Sequence, residues 1–125
     1  MAQTVLILEV QNVKLTVYKT EPATLHILAE GVVPTPGYKN PTLAPYVYIQ
    51  FPPDGIWDFS FMADQPDGIV QQVLQPICAT YIWEGYPEKL KGVRVHSSTN
   101  SVEALIGEYA PKTVSLLKQK SVATN

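Results

Sequence analysis

Apolar and polar residues alternate with a period of two along most of this chain, the spacing of strands that bury one face. Val13, Leu15 and Val17 oppose Lys14, Thr16 and Tyr18; Leu25, Ile27 and Ala29 oppose His26 and Glu30; Val93 and Val95 oppose Arg94 and His96. On this pattern His26 is a surface or partly buried strand residue. Thr4 to Val10 opens instead with four consecutive apolar residues, Val5 to Leu8. That suits a strand covered on both faces or lying at a subunit contact. Gln11 and Asn12 then form a turn or a bulge.

The densest alternation lies around two copies of the tetrapeptide PDGI, Pro53–Ile56 and Pro66–Ile69, thirteen residues apart. Tyr46 to Phe51 reads as a strand with Val47, Ile49 and Phe51 inward and Tyr46 and Tyr48 outward. Ile56 to Ala63 reads as a second strand, with Trp57, Phe59 and Phe61 at the centre of the core and Asp58 and Ser60 facing solvent. In each PDGI the proline presets the first central turn position and the glycine supplies a positive φ, so both copies are expected to be turns closing hairpins. Two turns do not make a repeat architecture.

Pro34 to Pro45 holds four prolines and a glycine, and is expected to be a long ordered loop crossing between sheets. Val70–Leu74 and Ile77–Trp83 read as strands interrupted by Pro76, which places that segment at an edge or a bend. Glu84–Gly92 is a polar loop, Val93–Ser98 and Ser101–Ile106 are strands around a Thr99-Asn100 turn, and Thr113–Leu117 is a last strand before a frayed tail over 118–125. About nine short strands without a helix predict one all-β domain over 1–125, an antiparallel β-sandwich with immunoglobulin-like Greek-key topology. A jelly roll or a small β-barrel is the alternative.

Composition narrows the functional classes. An apolar fraction of 46% with 16% charged residues is that of a globular chain. The single cysteine, Cys78, permits no intrachain disulfide and no thiolate cage; within ICATYIW it is expected to be a buried, small apolar residue. No apolar run approaches the roughly 20 residues that span a bilayer, and no signal-like segment opens the chain. The expectation is a protein without membrane association, cytoplasmic as given, with a secreted mature form as the other possibility.

The net charge of −2 is unevenly spread. No base lies between Asn40 and Glu88, where six acids accumulate, whereas residues 89–125 carry six bases and two acids. The acids are read first as turn formers and secondly as one side of a dipolar surface. An acidic middle and a negative total argue against nucleic-acid binding, which depends on neutralising phosphates.

No motif specifies a reaction. His26, His96 and Cys78 are the only soft metal ligands and none lie close in sequence, and the aspartates at 54, 58, 64 and 67 do not follow a calcium-loop spacing. There is no nucleophile elbow and no glycine-rich phosphate loop. Catalytic residues, metal and cofactor are therefore all assigned as none. The remaining candidate surface is aromatic: Tyr46, Tyr48, Tyr38, Tyr81 and Trp83 could stack on a sugar ring or anchor a protein partner.

Three segments, GVVPTPGYKNPTL (31–43), PPDGIWDFSFMADQP (52–66) and KGVRVHSSTNSVEAL (91–105), resemble those of small bacterial β-sandwich proteins of unassigned function. The resemblance covers 43 of 125 residues. It implies the sandwich fold and a bacterial source, and carries no site residue over. The expectation is a non-enzymatic interaction or structural module, self-associating or binding a protein partner. The alternative is a small-ligand or carbohydrate-binding domain.

Overall fold

The computed structural model describes residues 3–68 and 71–107. Among the described residues there are eight strands: β1 (Thr4–Leu6), β2 (Glu9–Tyr18), β3 (Thr24–Val33), β4 (Lys39–Pro45), β5 (Ile56–Asp64), β6 (Gln75–Glu84), β7 (Gly92–His96) and β8 (Ser101–Leu105). They form two open sheets, β2-β3-β6 and a five-stranded sheet built around β5, so the closed-barrel alternative is excluded. The expected strand at Thr113–Leu117 lies outside the described residues.

β5 organises the larger sheet. It pairs antiparallel with β4 along Phe59–Asp64 and with β1 along Met62–Asp64, and parallel with β7 along Ile56–Ser60. Because one edge of a strand bonds one partner at a given residue, β1 and β7 lie end to end along one edge of β5 and β4 lies along the other. The parallel β5–β7 pair departs from the purely antiparallel expectation. Its cause is the connection: the chain leaves β5, runs through β6 in the other sheet, and returns as β7 in the same direction.

The core lies between the sheets. Phe59, Phe61, Val93 and Val95 from one sheet meet Leu25, Ile27, Ala29 and Val10 from the other, all without solvent exposure. Trp57 is half-buried and packs on the edge of this cluster rather than at its centre. The four apolar residues Val5–Leu8 form no continuous strand. Ile7 donates its N–H to the Phe61 carbonyl in one sheet at 3.0 Å, and Leu8 donates to Val32 in the other at 3.1 Å. The chain changes sheets there, and only Ile7 of the run is buried, while Val5 and Leu8 are half-buried and Leu6 is exposed. After it, β2 contains the bulge expected at Gln11-Asn12.

Several expectations are corrected. Lys39–Pro45 is a strand, although it contains Pro41 and Pro45; as the sheet's edge it tolerates missing donors, and a register shift between Lys39 and Thr42 accommodates Asn40 at φ 54°. Tyr46–Phe51 is not a strand: it is confined between Pro45 and the Pro52-Pro53 pair, which cannot extend a ladder. Val47 and Ile49, expected in the core, are fully exposed at 96% and 103% of the reference area.

Residues 71–74 also form no strand, while Pro76 lies in β6 at the edge of its sheet, as anticipated. Cys78 is exposed on β6 rather than buried. Gly55 and Gly68 have the positive φ expected of the PDGI turns, 76° and 80°. Neither turn closes a tight hairpin: the first ends the long β4–β5 connection and the second begins the passage from β5 to the other sheet.

Candidate functional site

The outer face of the five-stranded sheet is where the chain gathers its polar chemistry. Strand register sets Asp58 beside Arg94 and Ser60 beside His96 across β5 and β7, and Arg94 beside Glu103 across β7 and β8. Arg94 donates to Asp58 Oδ1 at 3.0 Å, to Glu103 Oε1 at 3.1 Å and to Asp54 Oδ2 at 3.5 Å. The acidic middle of the sequence and its basic last third thus meet on one face. Asp54 has a local task as well, accepting the N–H of Ile56 at 2.9 Å inside the PDGI turn.

Asp58 and Ser60, expected to face solvent, are half-buried. For Asp58 the reason is the 46–51 loop, which folds back over it and is fastened at several points. Tyr46 donates its N–H to the Asp58 carbonyl at 2.9 Å, and the Tyr46 carbonyl accepts the Trp57 indole N–H at 3.0 Å. The Tyr48 phenol donates to Asp58 Oδ2. Tyr46 also stacks on the His96 ring, with centroids 5.5 Å apart and planes inclined by 23°.

Asp58 is the centre of this arrangement. Its Oδ1 is also 2.7 Å from His96 Nε2, so each carboxylate oxygen has a partner. Burial pushes the carboxyl upward, and the hydrogen bonds from Tyr48, His96 and Arg94 together outweigh it, holding the group below the usual carboxylate range. Tyr48 moves the other way: burial, reinforced by its bond to the Asp58 carboxylate, pushes the phenol up to about 12. Arg94 is pushed down by burial and, more strongly, up by its bonds to Asp58 and Glu103. Both the acid and the base are therefore held in their charged forms as structural partners. A carboxylate so occupied is poorly placed to accept a substrate proton. No group of three or more His, Cys, Asp or Glu side chains among the described residues is arranged to hold a metal ion.

The five aromatic candidates divide. Tyr46 and Tyr48 lie together in the loop, rings 6.3 Å apart, Tyr46 exposed at 41% and Tyr48 half-buried. Tyr81 and Trp83 are half-buried and pack against the core, where they contact Phe59. The two groups are joined through Trp57, which meets Tyr48 at 4.8 Å and Trp83 at 5.4 Å, edge to face in both cases. Tyr38, ahead of β4, also packs on the core. Sequence alternation missed Val47, Ile49, Arg94 and His96 as site residues. The prolines at 45, 52 and 53 were the available sign that Val47 and Ile49 could not be strand residues. Nothing local signals the parallel pairing that sets Arg94 and His96 beside Asp58.

No protein-family model, curated protein or solved structure matches the chain.

Proposed function

We propose that this protein is a non-enzymatic protein-interaction module whose contact element is the loop Tyr46–Phe51, with Val47 and Ile49 entering apolar pockets of a protein partner. The observation that carries the reading is the full exposure of both side chains on a loop tied down by its neighbours Tyr46 and Tyr48. An aliphatic side chain left in water forgoes about 1.5–3 kcal/mol of burial energy. Holding two of them outward on an anchored loop lowers the ordering cost of binding.

The test compares affinity purification of the full chain, from the cells that make it, with a Val47→Ser, Ile49→Ser variant of the same melting temperature. One co-purifying protein should fall by about ten-fold or more with the variant, matching a loss of at least ~1.4 kcal/mol. Undiminished recovery of every co-purifying protein rejects the reading.

A second reading, a carbohydrate-binding domain, draws on the exposure of Tyr46, because Tyr81 and Trp83 are engaged with the core. A glycan array without binding removes it. For the fold, the finer proposal is an immunoglobulin-like Greek key, supported by two open sheets between which the chain alternates.

A further inference from the structure

The three-stranded sheet ends in a strand whose outer edge is laid out for pairing. β6 runs in unbroken antiparallel register with β3 through ten pairs, from Thr24 opposite Glu84 to Val33 opposite Gln75. One step beyond, Gly85 donates its N–H to the Ala23 carbonyl at 2.8 Å. Bonded and non-bonded pairs alternate in such a ladder. Trp83, Tyr81, Ala79 and Ile77 therefore bond to β3, while Glu84, Ile82, Thr80 and Cys78 direct their N–H and C=O groups away from it. Pro76 falls in the outward set, so its missing donor weakens nothing inside the sheet.

The other edges carry features that oppose pairing. β2 has its bulge, Lys14 on the outer face, and the N–H and C=O of Val10 occupied by the Asn100 side chain at 2.9 and 2.8 Å. β4 has two prolines and a register shift, β1 is three residues long, and β8 is five residues long with Glu103 in it. β6 has ten residues, no lysine or arginine and no bulge, and its only proline and glutamate are near its two ends. Its outer face, Cys78, Thr80 and Ile82, is exposed, Ile82 at 61%. β4 passes near β6 without bonding to it.

We infer that β6 pairs antiparallel with β6 of a second copy of this chain, about a two-fold axis at Thr80, joining two three-stranded sheets into one of six strands. This register brings the outward groups of Cys78, Thr80 and Ile82 on both strands into bonded pairs, and places Pro76, which lacks an N–H, only at the two ends opposite Glu84. Thr80 faces its own counterpart, and Cys78 faces Ile82 of the other copy, both favourable cross-strand neighbours. It uses the strand from Pro76 to Glu84; a centre at Cys78 would set Pro76 against Thr80, and a centre at Ile82 would leave the first half of the strand unpaired. The interface is isologous and closes at two copies. It is separate from the Tyr46–Phe51 loop.

Sedimentation velocity of the full chain across micromolar to millimolar concentrations should show a monomer–dimer equilibrium. Thr80→Pro removes an outward N–H from each side of the axis, and Thr80→Lys sets like charges opposite each other. Each should raise the dimer dissociation constant by about ten-fold or more, while Val47→Ser with Ile49→Ser leaves it unchanged. Amide exchange gives an independent reading: Thr80 and Ile82 should exchange rapidly in the dilute monomer and become protected as the dimer forms.

A monomer at every concentration overturns the inference. So does a dimer that survives both Thr80 variants, or protection of Thr80 and Ile82 already present in the monomer, which would mean that the chain covers this edge itself.

Discussion

Tyr48 and Asp58 are bonded twice: the phenol donates to the carboxylate, and the Asp58 backbone N–H donates back to the phenolic oxygen at 3.2 Å. The second bond satisfies an outward-facing strand amide with a loop side chain. The loop therefore completes the hydrogen bonding of β5 as well as covering it, and its removal exposes unpaired groups on the sheet.

Tyr48→Phe deletes both bonds and keeps the ring against Trp57. The expected loss of stability is about 1–3 kcal/mol, because Asp58 retains charge and loses a donor. Val47→Ser and Ile49→Ser, at fully exposed positions, should each stay within about 0.5 kcal/mol of the parent. Urea denaturation of the three variants checks the contrast. If Tyr48→Phe proves as mild as the other two, the loop is not fastened through Tyr48.

The same pair fixes the pH dependence. Asp58 is held below its ordinary range in the folded chain, so its contribution is fully present above the unfolded carboxylate value of about 3.9 and is lost as pH falls through the lower folded one. Tyr48 is raised from 10.0 to about 12. Its contribution is present below pH 10 and fades as pH rises towards 12. Denaturation midpoints measured across pH should decline at both ends, with Asp58→Asn flattening the acid limb and Tyr48→Phe the alkaline one.

Gly92 begins β7 opposite Leu105 in β8, and a Cβ at this position would fall against the Ala104 carbonyl oxygen and 2.9 Å from Leu105 Cα. Both neighbours are backbone and cannot rotate away. Gly92→Ala should separate β7 from β8 and cost about 2 kcal/mol or more, in the range of strongly overpacked sites. Gly107→Ala, with open space around the Cβ position, is the matched control, and thermal melts of the two should differ by several degrees.

Periodicity made the all-β class legible in the sequence, along with the inward placement of Phe59 and Phe61, the bulge at Gln11-Asn12 and the edge position of Pro76. These depend on neighbours along the chain: a side chain's face follows from its parity, and a proline's tolerance follows from its missing donor. Parity fails where no ladder forms. Val47 and Ile49 alternate with Tyr46 and Tyr48 as a strand would, yet prolines on both sides leave that segment a loop, and the apolar pair faces water. Cys78 carries no sequence mark that separates an inward from an outward thiol. Only the tertiary structure decided that Asp58 would meet Arg94 and His96, because parallel pairing of β5 with β7 depends on a passage through the other sheet. The carboxylate is 36 residues from one partner and 38 from the other, and it is the fold that brings those three side chains to one face.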